Sequence, residues 1–194
     1  FAAFGLVALP ALAQPAARRP RIGWLGSSTD PITLGATLEP FRQGLRELGW
    51  VEGQNLAPLE LRFTEGKDER YPALIAELLR LDLELLVTQG VRGALLAKEA
   101  TQTLPIVALA VDDPVQMGLV ASIARPGGNI TGFQLFEFSV IGKLLEALKE
   151  IAPKVSRVAC LVNPDNPAAD FHVRSFETVA PSLAVQPLIV RVHN

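Results

Sequence analysis

The sequence predicts an α/β fold with a doubly wound parallel sheet. From residue 21 onward, short apolar runs alternate with longer segments whose apolar residues recur at helical spacing. The run at residues 105–111 is apolar at nearly every position, which is typical of a strand covered by helices on both faces. Polar residues follow the apolar runs, where loops would lead from strands to helices.

The first elements follow from local spacing. Residues 21–26 form an apolar run that predicts the first strand. Apolar residues at helical spacing between 38 and 48 predict the first helix, with Pro40 in its first turn and Gly49 at its C-terminal cap. Apolar and charged residues alternate over 59–63, which predicts the second strand.

Two further strand–helix pairs are predicted before residue 126. A helix over 68–80 would be capped by Asp68, and a strand at 83–88 would lead to a helix at 91–101. The strand at 105–111 ends in Asp-Asp-Pro, which predicts the start of a helix over 115–125.

The last third of the chain repeats the pattern. A turn at 126–129 precedes a short strand at 130–133, and a helix is predicted over 139–151. Strands are then predicted at 157–162 and 187–192, with a loop at 163–167 and another helix between them.

Composition excludes several classes of function. The net charge is −2, and no basic, aromatic-rich face supports nucleic-acid binding. The single cysteine, Cys160, lies in an apolar run and is expected to be an inert core thiol. With only His172 and His193 as imidazoles, we predict no metal site, no cofactor and no catalytic triad.

The N-terminus resembles an export signal. Residues 1–12 are almost entirely apolar, and Ala11-Leu12-Ala13 fits a signal peptidase site with cleavage before Gln14. We therefore predict a partial signal peptide at 1–13 and a linker at 14–20, and the alternative is a buried N-terminal helix. Since no cysteine follows the cleavage site, lipid anchoring is not expected, and the mature protein is predicted to be exported to the periplasm.

Polar residues at predicted strand ends form the candidate binding site. Ligands of open α/β sheets bind beyond the carboxyl ends of the strands. The residues at these positions, which we predict to bind a small molecule, are Ser27, Ser28, Thr88, Gln89, Gly90, Asp112, Asp113, Asn163 and Asn166. Each of them alone is also typical of a helix cap or a turn.

Thr88 and Gln89 give the most specific hypothesis. They precede the helix at 91–101, where backbone N–H groups lack intrahelical partners and would stabilise a ligand carboxylate. The alternative is that Thr88 only caps that helix. Asp112 and Asp113 could similarly be a carboxylate pair for catalysis or metal binding, but Pro114 favours a capping loop. Dinucleotide, phosphate-loop and nucleophile-elbow motifs are absent from the sequence.

Three segments resemble a known family. Residues 41–55 (FRQGLRELGWVEGQN) are similar to ABC-type substrate-binding proteins that include tryptophan and tyrosine binders. The same resemblance is carried by 113–114 (DP) with 118–122 (GLVAS) and 124–132 (ARPGGNITG), and by 156–159 (SRVA) with 161–164 (LVNP). The resemblance implies a type I periplasmic-binding fold with two Rossmann-like lobes. It places the first lobe at 21–133 and the start of a second, truncated lobe at 134–194.

The resemblance also implies a function. We expect a monomeric protein that captures a small solute, such as an amino acid, by hinge closure and delivers it to an ABC permease and its ATPase. Contact with the membrane would then occur only through the permease. The alternatives are an effector-sensing domain of a regulator on the same fold and, from a third class, an α/β enzyme.

Overall fold

The computed structural model describes residues 18–135 and 137–193, in which helices and strands alternate. The predicted signal peptide at 1–13 and residues 14–17 of the predicted linker lie outside the described residues. The elements of the first part are β1 (Ile22–Gly26), α1 (Pro31–Glu47), β2 (Glu60–Phe63), α2 (Tyr71–Leu79), β3 (Leu85–Gln89), α3 (Val91–Ala100), β4 (Ile106–Val111) and β5 (Ile130–Gln134). The elements that follow are α4 (Val140–Ile151), β6 (Arg157–Val162), α5 (Ala169–Val179) and β7 (Gln186–Arg191).

The first sheet is parallel and has the strand order β2-β1-β3-β4-β5. Strand order reverses between β1 and β3, which confirms the predicted doubly wound arrangement. A cluster around Trp24 and Leu38 packs on the face covered by α1, and a larger cluster around Leu78 and Leu86 packs on the face covered by α2 and α3. Both faces are therefore buried, which explains the apolar sequence of the inner strands.

The second sheet pairs β6 with β7 in parallel. Helices α4 and α5 bury one face through Leu145 and Phe176, and the other face leaves Leu161 70% exposed. Cys160 packs against this core, and burial raises the pKa of its thiol, as expected for an inert cysteine.

The predicted helix at 115–125 is wrong, because that segment folds as turns. The chain starts a helical turn, with Met117 N–H donating to the Asp113 carbonyl at 3.0 Å. Gly118 then takes a φ of 70°, which a right-handed helix cannot continue through. Leu119 is buried in the cluster around Leu78 and Leu86, so tertiary packing fixes the turn.

Two predicted helix starts also need correction. Helix α1 begins at Pro31, well before residue 38, because the Asp30 carboxylate accepts hydrogen bonds from the N–H groups of Ile32 and Thr33. Pro40 consequently lies inside the helix. Asp68 caps no helix: it opens a short 3-10 turn (Asp68–Arg70), and its carboxylate pairs with Arg92.

Candidate functional site

A cavity of about 250 Å³ lies between the strand ends of the first sheet and the loop after β6. We refer to this cavity as the cleft, and its lining residues are Asp68, Val91, Arg92, Ala110, Asp112, Leu135, Asn163, Asp165, Asn166 and Pro167. Three of the predicted site residues, Asp112, Asn163 and Asn166, meet here although they come from different sheets. The cleft combines carboxylates, amides and one guanidinium with apolar walls, which suits a small polar solute.

Asp112 follows β4 directly and is only 8% exposed. Burial raises the pKa of its carboxyl group, and the charge of His172 on α5 opposes that rise. The His172 Nε2 atom lies 3.6 Å from the Asp112 Oδ2 atom, which links the two sheets across the cleft. Ala110 and Asp113 on either side of Asp112 have φ values of 54° and 35°. Positive φ in non-glycine residues is strained, and such strain concentrates at functional sites.

Arg92 also joins the two sheets and was not among the predicted site residues. Its Nε atom lies 2.7 Å from the Asp68 carboxylate, and its Nη2 group donates to the backbone carbonyl of Asp165. A signal was present in the sequence, because Arg92 is the second residue of a helix that starts at a predicted binding loop. The sequence predicts Asp68 as the cap of the helix over 68–80 and gives no sign that its carboxylate pairs with Arg92.

The loop after β6 forms the opposite wall of the cleft. The Asn163 and Asn166 side-chain oxygens accept hydrogen bonds from the N–H groups of Asp165 and Ala168, both at 2.9 Å. These bonds shape the loop and leave the amide N–H₂ groups as the donors that the two side chains can offer a solute. The Asp165 carboxylate pairs with His193 at 3.0 Å.

The other predicted residues are not among those that line the cleft. Ser27 and Ser28 follow β1, and the Ser28 hydroxyl accepts a hydrogen bond from the Asp30 N–H. Gln89 ends β3 beside β4. Gly90 is the N-cap residue of α3 with a φ of 84°, and Asp113 accepts hydrogen bonds from Gln116 within the turn.

Thr88 neither lines the cleft nor caps α3. It is fully buried on the sheet face covered by α2 and α3, close to Gly93. Among the described residues its hydroxyl has no hydrogen-bond partner. The N-cap of α3 is Gly90, so the capping role considered for Thr88 is wrong.

A second, apolar cavity of about 320 Å³ lies beside β5 and is lined by residues such as Leu119, Ile130 and Phe133. It is the larger of the two, but the cleft has the charged groups that recognise a polar solute. Within residues 18–135 and 137–193, no cluster of three or more His, Cys, Asp or Glu side chains is placed to hold a metal ion. No helix in the same ranges has the length and apolar character needed to cross a membrane.

Two α/β units thus face each other across a polar cleft, which is a concave site of the kind that binds small molecules. The family model described as "ABC transporter substrate binding protein" matches residues 32–194. The chain belongs to this family, whose description names transport binding proteins and not transcription regulators.

Individual relatives agree with the family. The chain is 26% identical over 140 residues to a tyrosine-binding protein of Clostridioides difficile strain R20291, a match that covers 72% of this chain and 40% of the relative. A conserved domain protein from Vibrio cholerae O1 superposes with a TM-score of 0.81 at 25% identity, over 90% of this chain and 58% of that one.

A solved structure from Streptococcus pneumoniae, described as an ABC domain in complex with L-Trp, superposes with a TM-score of 0.79. It is 23% identical to this chain and is matched over 90% of this chain and 58% of its own length. The fold is thus that of the type I periplasmic-binding proteins, and this chain spans about half the length of its relatives.

Proposed function

We propose that this protein is the periplasmic solute-binding component of an ABC importer and that it captures an amino acid or a similar small solute. The observation that carries the proposal is the cleft, where Asp112 and Arg92 from the first sheet face Asn163 and Asn166 from the loop after β6. Acidic, basic and amide groups in one cavity complement a solute with both an ammonium and a carboxylate.

The relatives support the solute class. One is described as a tyrosine-binding protein, and another was solved in complex with L-Trp. In the proposed protein, residues 21–133 form the first lobe and residues 134–194 begin the second. The lobes close over the solute about the connection between β5 and α4, and the closed form docks on a permease with its ATPase.

The solute class is tested by binding to the purified full-length protein. Isothermal titration calorimetry and thermal shift with a panel of amino acids, including L-tyrosine and L-tryptophan, should give at least one saturable binder that raises Tm by mass action. Sugars and inorganic anions serve as controls. Binding of a control solute with no response to any amino acid would reject the solute class, and chemical turnover of a bound solute would reject the binding role.

The cellular location has a separate test. Expressed from its natural start codon, the mature protein should appear in the periplasm and begin at or near Gln14. An intact N-terminus in the cytosol would contradict both the signal peptide and the importer role.

A further inference from the structure

Asp112 and His172 form a carboxylate–imidazole pair between the two parts of the chain. Asp112 follows β4 of the first sheet, and His172 lies in the first turn of α5, which packs on the second sheet. The Asp112 Oδ2 and His172 Nε2 atoms are 3.6 Å apart, which is ion-pair range when the imidazole is protonated. The two side chains are 11% and 19% exposed, so water and salt screen this pair less than a surface pair.

The His172 ring is packed on its own side of the cleft. The Phe138 ring meets it edge-on, with ring centroids 5.0 Å apart and an angle of 74° between the planes. Phe138 is buried and stacks on Phe171 at 5.1 Å, and its carbonyl accepts a 2.7 Å hydrogen bond from the Ser175 hydroxyl. Because the ring is fixed to α5, any movement of α5 relative to β4 changes the distance between His172 and Asp112.

The other charged groups on the elements around this pair make contacts of their own. These contacts are Arg92 with Asp68, Asp165 with His193, Asp170 with Arg191, Arg174 with the Phe171 ring, Asp113 with Gln116, and Glu137 with Ser139. Burial raises the pKa of the Asp112 carboxyl group, and the charge of His172 opposes that rise. The carboxylate and the imidazole thus act on each other through their charges.

Protonation of the imidazole is therefore coupled to the separation of the two parts. Histidine is the side chain that ordinarily changes charge between about pH 5 and about pH 8. The Asp112 carboxylate attracts the protonated ring when the two parts are close, and this attraction is lost when they move apart. The close arrangement consequently takes up the proton more readily, and its population rises as the pH falls through the titration of the imidazole. At still lower pH the carboxylate is itself protonated, and the attraction ends.

We infer that Asp112 and His172 form a pH-sensitive latch that holds the two lobes together in mildly acidic solution and releases them as the pH rises. The inference rests on the two lobes of the proposed function, but it concerns the protein without solute. In an importer, the latch would make the protein retain its solute more tightly at about pH 6 than at about pH 8.

The test follows the distance between the lobes in the full-length protein without solute. Spin labels at Lys67→Cys, in the loop before α2, and at Glu177→Cys, on the exposed side of α5, report this distance by double electron–electron resonance after Cys160→Ser removes the native thiol. The ratio of short to long distances should rise about three- to tenfold from about pH 8 to about pH 6, because one partly shielded ion pair shifts an equilibrium by about that factor.

His172→Gln and Asp112→Asn should each abolish this pH response, because either change removes one of the two charges. His193→Gln is the matched control. The His193 imidazole also pairs with a carboxylate, that of Asp165 at 3.0 Å, but both belong to the second part of the chain and are well exposed. This variant should keep the response of the wild type.

A wild-type distance distribution that does not change with pH would overturn the inference. A pH response that persists in His172→Gln or in Asp112→Asn, or one that disappears in His193→Gln, would overturn it as well. Since no solute is added, these outcomes are independent of the amino-acid panel that tests the proposed function. A solute that closes the lobes at every pH would leave that function standing without the latch.

Discussion

Arg92 is the side chain that most directly couples the two walls of the cleft. It is held by the Asp68 carboxylate at 2.7 Å on its own side and donates to the Asp165 carbonyl on the other. Arg92→Gln removes the ion pair and the cross-cleft hydrogen bond. The Arg92 and Asp68 side chains are 34% and 50% exposed, so solvent screening limits the pair to about 0.5 kcal/mol.

The cross-cleft hydrogen bond exists only when the walls are close. It contributes about 1 kcal/mol to the closed form, and Arg92→Gln should therefore lower solute affinity about fivefold. The assay is calorimetric titration of the full-length protein with whichever amino acid the panel identifies. Urea unfolding without solute should show a loss of at most about 1 kcal/mol, because the rest of the fold does not depend on this contact.

Arg70→Gln is the matched control. Arg70 also pairs with a carboxylate, Glu65 at 2.6 Å, and donates to a backbone carbonyl, that of Thr64, but all its partners belong to the first part of the chain. This variant should keep the wild-type affinity. If Arg92→Gln and Arg70→Gln bind solute equally well, the coupling role assigned to Arg92 is refuted.

Three further predictions concern stability in the absence of solute. Burial raises the pKa of Asp112, so its protonated form favours the fold at low pH and that advantage disappears as pH rises through the raised pKa. Asp112→Asn should accordingly have a higher Tm than wild type near pH 7. A series of Tm measurements against pH should show this difference vanishing toward about pH 4. A lower Tm of the variant at pH 7 would contradict the prediction. Thr88→Val removes a buried hydroxyl that lacks a partner and should raise the free energy of unfolding by about 1 kcal/mol in urea titrations, whereas a loss would reveal a hydrogen bond. Gly132→Ala would place a Cβ 1.9 Å from the Ala108 carbonyl oxygen and should lower the free energy of unfolding by about 3 kcal/mol or prevent folding. The control, Gly128→Ala, has open space at its Cβ and should be nearly neutral. Equal unfolding curves for the two variants would refute the close approach at Gly132.

The sequence predicted most strands because the inner strands of a doubly wound sheet are apolar on both faces. The strand at 157–162 was predicted with its observed bounds, Arg157–Val162, and that at 130–133 to within one residue of Ile130–Gln134. Helix α1 was predicted too short, since its cap depends on a single side chain, Asp30, before a segment with weak apolar spacing. The helix at 115–125 failed because Gly118 adopts a conformation that periodicity does not encode.

The candidate site was only partly predictable. Strand ends are recognisable in a sequence, so Asp112, Asn163 and Asn166 could be named in advance, and the structure places all three in the lining of the cleft. The Arg92–Asp68 pair joins residues from different loops, and such contacts depend on strand order, which residue spacing does not reveal. The burial of Thr88 could not be predicted either, because packing decides which face of the sheet a strand residue lies on.

Closure of the two lobes on a solute is the central claim, and a distance measurement across the cleft tests it most directly. Spin labels at Lys67→Cys in the first lobe and Asp170→Cys in the second, with Cys160→Ser to remove the native thiol, report this distance by double electron–electron resonance in the full-length protein. Labels at Lys67→Cys and Glu99→Cys, both in the first lobe, provide the control. A bound amino acid should shorten and narrow the cross-cleft distance distribution without altering the control pair. An unchanged cross-cleft distribution at saturating solute would contradict capture by closure.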